Sequence, residues 1–192
     1  MRDKQIKYLN YTLRLIIMST GVVLSLAHFF PGVYAPKIWS YLATIMLVFV
    51  PDVLRLINIK IDQKLEMAYY LFLIPAMIIG IDLDMYKIIP PMDKIVHTGS
   101  GVFTAFVARS FLKQTTNTEK PWFKFLFVMG FVALCAVLWE CFEFSYDQLF
   151  HGRMQQLISN GVADTMWDMI VALMGGFITM MLLFFSRDLE ID

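Results

Sequence analysis

Residues 122–138, WFKFLFVMGFVALCAVL, decide the class of fold, because this apolar run contains a single charged side chain, Lys124. A helix that spans a membrane needs about 20 mostly apolar residues. The run continues into the segment WECFEF at 139–144, where two glutamates stand among aromatic residues. The stretch therefore predicts a membrane-spanning helix that becomes acidic at its end.

The composition of the whole chain has the same character. Residues of the set AVILMFWYC make up 58% of the 192 residues, charged residues only 17%, and the mean hydropathy is +0.63. A soluble domain is about 25% charged, and with fewer charges it would expose large apolar patches. We therefore exclude a soluble enzyme, a nucleic-acid-binding protein, a disordered chain and a disulfide-stapled secreted domain.

Six apolar runs predict an all-α fold, a polytopic membrane helix bundle within one integral membrane domain over 1–192. The predicted spans are 11–30, 38–57, 65–81, 95–112, 122–145 and 164–185. The runs are continuous, which excludes a membrane barrel with its alternating strands. The first span resembles a signal sequence, but its apolar stretch is longer than a signal core, which favours an uncleaved helix. Pro51 and two charged residues interrupt the end of the second span.

The distribution of Lys and Arg predicts the orientation. Twelve of the sixteen lie in the N-terminus, the 2–3 and 4–5 connections and the C-terminus, and four lie in the remaining connections. Because cytoplasmic segments carry the excess of Lys and Arg, this bias predicts that both termini lie in the cytoplasm. The expected partner of the apolar spans is the lipid bilayer.

Ionisable residues inside membrane spans are costly and are functional candidates by default. Here they recur at offsets of three or four, which place each group on one helix face. The candidate residues, at the predicted outer ends of spans four, five and six, are Asp93, His97, Glu140, Glu143, Asp147, Asp164 and Asp168. Lys94 and Arg153 are the predicted headgroup-binding residues.

Small residues continue two of these faces into the membrane. On span four they are Ser100 or Gly101, then Thr104 and Ala108, and on span six Ala172, Gly175 and Thr179. Small residues allow helices to approach closely. We therefore expect spans four, five and six to pack together, with their polar ends forming one pocket that opens to the outside.

Several of these residues also have a simpler interpretation. Asp93 is compatible with an exposed helix start, Asp164 with an N-cap, and His97 with a core histidine bonded to a carboxylate or a carbonyl. Glu140 and Glu143 are harder to explain in this way, because a buried unpaired carboxylate is very unfavourable. Arg153, Lys94, His97, a metal ion or protonation would have to compensate them.

Four segments together resemble a known family. They are DKIVH at 93–97, WECFEF at 139–144 with Asp147, DTMWD at 164–168, and Gly175-Gly176. The chain resembles the YjdF-like family of bacterial inner-membrane proteins over nearly its whole length. It is more distantly similar to the VanZ-like family, whose D-K-x-x-H segment is followed by Glu, Arg, Asp and Gly. In this sequence those match Glu143, Arg153, Asp168 and Gly175, whereas Ala172 stands where the VanZ-like pattern has Asn.

The resemblance implies a multi-pass protein of the bacterial cytoplasmic membrane. VanZ-like proteins are linked to the cell envelope and to resistance against glycopeptide antibiotics of the teicoplanin type. Neither family supplies an assigned catalytic residue or reaction.

Three functions remain open at this point. The first is an enzyme or binding protein for an envelope lipid or its headgroup, in which a divalent metal ion is a possible cofactor. There His97 would be a ligand or proton carrier, Asp93, Glu143 and Asp168 ligands or the base, and Arg153 the phosphate contact. The second is an ion- or proton-coupled transporter. The third is a non-catalytic module that binds a lipid or partner, or whose polar groups only pin the helices together.

Overall fold

A computed structural model describes residues 2–30, 37–115, 120–150, 154–155 and 161–185. Within these ranges the regular structure is helical and contains no strand, which confirms the all-α prediction. The helices are α1 (Arg2–Ala27), α2 (Ile38–Leu47), α3 (Val50–Leu56), α4 (Gln63–Leu73), a π-helical segment (Ile74–Asp82), α5 (Met85–Ile88), α6 (Pro91–Thr115), α7 (Pro121–Phe150) and α8 (Gly161–Phe185). They group into two compact units, 1–89 and 90–192.

In the first unit, α1 packs against α2 and α4 around the buried side chains of Ile17, Tyr41 and Tyr70. The predicted second span is bent by 45° between α2 and α3. Pro51 lies in the first turn of α3, a position where its missing N–H costs no helical hydrogen bond. The proline that interrupts the apolar run in the sequence therefore begins a new helix.

The π-helical segment continues α4 and begins with Pro75 in its first turn. Proline cannot donate its share of the helical hydrogen bonds, and the ladder widens from this point. Tyr86 of α5 covers the wider turns: its hydroxyl donates to the carbonyl of Ala76 at 2.9 Å. A Cβ at Gly80 would lie 2.2 Å from the Tyr86 ring, so this close packing requires glycine.

The second unit consists of α6, α7 and α8, and α6 and α8 make the most extensive contact. A Cβ at Gly101 would lie 1.8 Å from the carbonyl oxygen of Ala172, and one at Gly175 would lie 2.1 Å from that of Thr98. The two helix backbones therefore touch along the small residues, as the sequence predicts. Ala105 and Ala108 are fully buried along the same helix α6.

Within the described residues, four helices are long and apolar enough to cross a membrane, and a fifth span results if the bent pair α2 and α3 counts as one. The four are Asp3–Ala27, Gln63–Asp82, Pro121–Phe150 and Gly161–Phe185. Helix α6, with 25 residues, has the length for a span but is not among the helices that are apolar enough to cross a membrane. The chain is a membrane protein with several apolar helices, whereas the count of six spans, the cytoplasmic termini and the single membrane domain stay predictions.

Candidate functional site

The first turns of α6 and α8 and the later turns of α7 bring six of the predicted residues together. Helix α6 supplies Asp93, Lys94 and His97, α7 supplies Glu140, and α8 supplies Asp164 and Asp168. We call these six residues the Lys94 cluster. Its four carboxylates are each exposed by 6% or less, and His97 by 8%. These carboxylates and the imidazole are thus removed from water, and their charges must be balanced locally.

The ammonium group of Lys94 lies between three aspartates. Its Nζ is 2.9 Å from Oδ2 of Asp93, 2.6 Å from Oδ1 of Asp164 and 2.7 Å from Oδ1 of Asp168. An ammonium has three N–H donors, and these contacts use all of them. Three ionised aspartates against one ammonium leave two negative charges, which is the charge that one divalent cation neutralises.

His97 has carboxylates near both ring nitrogens. Its Nε2 is 3.6 Å from Oδ1 of Asp93 and 3.8 Å from Oδ1 of Asp168, and its Nδ1 is 3.9 Å from Oε1 of Glu140. All three distances are longer than a hydrogen bond. The imidazole is therefore placed beside the acids without being directly bonded to them, unlike the carboxylate-bonded core histidine considered above.

Glu140 is the buried acid with the poorest compensation. Neither of its carboxylate oxygens has a hydrogen-bond partner of good geometry among the described residues, and the hydroxyl of Thr165 is the polar group beside them. Buried polar groups are almost always hydrogen-bonded. An unsatisfied carboxylate at this position therefore points to a ligand, a cation or a proton as its partner.

Asp93, His97 and Asp168 have the arrangement of a metal-binding triad. One ligand atom from each residue lies within 4.8 Å of the other two. Bonds of about 2.0–2.2 Å from a metal ion to its ligands place neighbouring ligand atoms roughly 3–4 Å apart, and the two histidine–aspartate distances lie in that range. A small inward movement of the three side chains would suffice to hold a divalent ion, with water in the other positions.

Glu143 and Asp147 have different surroundings from the Lys94 cluster. Glu143 is buried and accepts a hydrogen bond from the indole Nε1 of Trp139 at 2.8 Å. The two oxygens of Asp147 accept from the backbone N–H groups of Met154 and Gln155, at 2.7 and 3.0 Å. Asp147 therefore holds the turn after α7, which is a structural role rather than the predicted membership of the acidic site.

The simpler interpretations of two aspartates are wrong. Asp93 is buried, not an exposed helix start. Asp164 lies inside the first turn of α8 and its side chain bonds Lys94, so it is not the N-cap. Lys94 itself is engaged by acids, where the sequence predicted a contact to a headgroup, and Arg153 lies outside the described residues.

Aromatic residues mark the level of the cluster on α7. Trp139 begins a ladder of ring contacts with centroid distances of 5.4, 6.2 and 5.2 Å through Phe142, Tyr146 and Phe150. Trp122 lies at the opposite end of the helix and is 62% exposed. The two tryptophans are about 26 Å apart along the helix axis, close to the roughly 30 Å thickness of the hydrocarbon layer. Trp139 flanks Glu140 in the sequence, but the sequence does not predict its hydrogen bond to Glu143 or the position of Thr165 beside Glu140.

The sequence matches a family described as "Predicted membrane protein (DUF2238)" over residues 12–189. This description fits the resemblance to YjdF-like membrane proteins, whereas the relation to VanZ-like proteins stays a prediction. No curated protein and no solved structure shows a significant match.

Proposed function

The chain belongs to the DUF2238 family of predicted membrane proteins, and from that premise we propose that the Lys94 cluster binds a divalent cation through which the protein holds or acts on the headgroup of an envelope lipid. Asp93, His97 and Asp168 would ligate the cation. The proposal extends the family's description, which gives no ligand and no reaction.

The excess of buried acid carries this proposal. Lys94 balances one of three aspartates, and Glu140 adds a carboxylate that has no partner of good geometry in the described part of the chain. Hard oxygen ligands suit Mg²⁺ and Mn²⁺, and an imidazole also allows Zn²⁺. A bound divalent ion would remove the negative excess of the aspartates and give Glu140 a positive charge nearby.

The position of the acids along α7 supports a headgroup as the substrate class. Trp and Tyr favour the level of lipid headgroups, and Glu140 follows directly after Trp139. Magnesium in proteins commonly joins one or two carboxylates to a phosphate of the substrate. An acidic cluster that would repel a lipid phosphate by itself would therefore attract it once a divalent ion is bound.

Within this function each residue has a definable task. Lys94 would keep Asp164 and Asp168 in place. Oδ1 of Asp168, which lies 3.8 Å from Nε2 of His97, would serve both the ammonium group and the ion. Glu140 is the candidate general base, because its carboxylate faces His97 and is free to accept a proton from a water molecule. Glu143 is less suited to that task, since one of its oxygens is engaged by Trp139.

Transport of a cation is the second candidate, since a buried Lys–Asp–His group also occurs along ion pathways. The packing next to the cluster opposes it. Gly101 and Gly175 hold the α6 and α8 backbones in contact. The hydroxyls of Thr104 and Thr179 bond carbonyls of their own helices, at 2.8 and 2.9 Å. This close packing, with both hydroxyls bonded to backbone carbonyls, disfavours a polar path between α6 and α8.

The direct test is a titration of the purified protein with Mn²⁺, followed by electron paramagnetic resonance. We expect one bound ion per chain, and affinity lower by about ten-fold or more in His97→Ala and Asp168→Asn. Asp147→Asn is the matched control, because that acid bonds backbone N–H groups and lies outside the cluster. Equal Mn²⁺ binding by all four proteins would refute the proposed function.

A further inference from the structure

A cavity of about 210 Å³ lies in the first unit, where polar residues of α1, α3 and α4 meet. It is smaller than the roughly 300–1,000 Å³ of pockets for drug-sized ligands, yet several times the volume of one water molecule. The cavity can therefore hold a small polar group such as a lipid headgroup, but no acyl chain.

The charged side chains around this cavity have a net positive charge. Arg14 lies 2.6 Å from Oδ2 of Asp52, and Arg55 contacts both Asp52 and Glu66. The two arginines thus engage the two acids. Lys7 adds a third positive charge to the same wall, with its ammonium 5.9 Å from the centroid of the Tyr11 ring. An anionic group would find one uncompensated cation and the remaining N–H donors of Arg14.

The side chain of Asn10, on the same wall, has an amide oxygen that accepts no hydrogen bond from the described residues. Its Nδ2 donates to the backbone carbonyl of Gln63 at 2.9 Å. That carbonyl can only accept, so the orientation of the amide is fixed. The residue is only 6% exposed, and its Oδ1 atom is buried without a hydrogen-bond partner among the described residues. The side-chain oxygen of Gln63 is in the same state.

We propose that this cavity binds a phosphate group that carries a neighbouring amine, the chemistry of a phosphoethanolamine headgroup. The phosphate would contact Lys7 and Arg14, and the ammonium would donate to Oδ1 of Asn10 and lie near Asp52 and Glu66. The phosphate matches the net positive charge of the wall, and the amine matches the buried acceptor of Asn10. The site is independent of the Lys94 cluster, so its failure would leave the proposed metal function untouched.

The source of the headgroup is expected to be the lipid leaflet. The basic N-terminal end of α1 belongs to the segments whose Lys and Arg content predicts a cytoplasmic position, and such residues attract phospholipid surfaces. A soluble phosphoethanolamine compound offers the same groups. The two sources differ in the acyl chains, which only the lipid can place against the apolar helices.

The test is a calorimetric titration of the detergent-purified full chain with short-chain phosphatidylethanolamine, short-chain phosphatidylcholine and soluble glycerophosphoethanolamine. Phosphatidylcholine keeps the phosphate and the positive charge but has no N–H donor. We expect it to bind about ten-fold more weakly than phosphatidylethanolamine. If phosphatidylethanolamine binds more tightly than glycerophosphoethanolamine, the lipid is the ligand. If the two bind equally, the soluble compound is the ligand. Both results support the site.

Two variants separate the two halves of the site. Lys7→Gln should weaken the binding of all three compounds alike. Asn10→Leu should weaken only the binding of phosphatidylethanolamine and glycerophosphoethanolamine, and so abolish the preference over phosphatidylcholine. Lys4→Gln is the matched control: the side chain is exposed on the same turns of α1 and does not line the cavity. Equal affinity for the two lipids in the native protein, or an equal loss in the Lys4 and Lys7 variants, would overturn the proposal. An unchanged thermal midpoint shows that each variant is folded.

Discussion

The Lys94 cluster of the second unit and the polar cavity of the first unit both place ionisable side chains among apolar helices, yet they balance charge differently. In the cavity, each acid has an arginine partner: Asp52 has Arg14 and Arg55, and Glu66 has Arg55. In the cluster, three aspartates share one lysine, and Glu140 has no partner of good geometry among the residues that the structure describes. In the cavity the acids are neutralised by arginines and Lys7 is the excess charge, which suits a phosphate, whereas the excess of buried acid in the cluster suits a cation from outside.

The largest effect should follow the removal of the lysine. Lys94→Met leaves three buried aspartates without their shared cation, and breaking a buried ion pair in this way costs about 3–5 kcal/mol of unfolding free energy. Lys87→Met is the control, because Lys87 is 55% exposed in its pair with Asp84 and should cost less than about 1 kcal/mol. Denaturant unfolding in detergent measures both. Similar losses in the two variants would mean that the cluster is not the charge-critical region.

The close contact of α6 and α8 supports the geometry of the cluster and gives the next effect. Gly101→Ala would drive a Cβ into the carbonyl of Ala172, at a cost of about 1–3 kcal/mol, and would move Asp93 and His97 away from Asp168. Gly130→Ala is the matched control, since a Cβ there meets nothing within 4 Å and alanine favours the helix. We expect Mn²⁺ binding to fall only in the Gly101 variant. A Gly101 variant that unfolds at the native midpoint would contradict the packing.

The same glutamate-to-glutamine change should lower stability in the cavity but not in the cluster. Glu66→Gln removes the partner of Arg55 and should lower the unfolding free energy by about 1–2 kcal/mol. Glu140→Gln removes an uncompensated buried charge and should leave stability unchanged or higher, while it lowers Mn²⁺ affinity. Thermal unfolding and the metal titration together check the pair. If Glu140→Gln instead destabilised the protein and lost function in proportion, the cluster would serve helix packing alone.

The smallest effect concerns pH at Asp84, just after the π-helical segment. Burial raises the pKa of this carboxyl. Hydrogen bonds from Lys37 and Lys87 lower the pKa by more than burial raises it, so the pKa lies below its ordinary value. Its contribution to stability is therefore complete above the unfolded pKa of about 4 and is lost as pH falls through the lower folded value. Asp84→Asn should remove this part of the acid dependence, by less than about 1 kcal/mol. An unchanged acid limb of the unfolding curve in the variant would argue against it.

The sequence predicts much of the architecture because its signals are local. Apolar runs identify the helices, Pro51 identifies the break between α2 and α3, and small residues such as Gly101 and Gly175 identify the contact of α6 with α8. Offsets of three and four also select Asp164 and Asp168 as neighbours on one face. Each of these signals can be identified within one apolar run, before its neighbours in the fold are known.

The remaining features depend on contacts between distant segments. Lys94 follows Asp93 directly and so starts on a different face of α6, but its long side chain reaches back to α8. Asp147 accepts hydrogen bonds from the backbone N–H groups of Met154 and Gln155, and the spacing of residues along a helix does not predict these bonds. The cavity of the first unit requires α1 and α4 to meet, as in the bond from Asn10 to Gln63. For these residues, tertiary packing decides the role.

Anomalous scattering from crystals grown with Mn²⁺ would show directly whether the Lys94 cluster holds a metal ion. We expect one peak within roughly 2.0–2.6 Å of ligand atoms of Asp93, His97 and Asp168, and its loss in Asp168→Asn. A map without a peak at this position, with Lys94 still bonded to all three aspartates and Glu140 protonated or bonded to water, would contradict it.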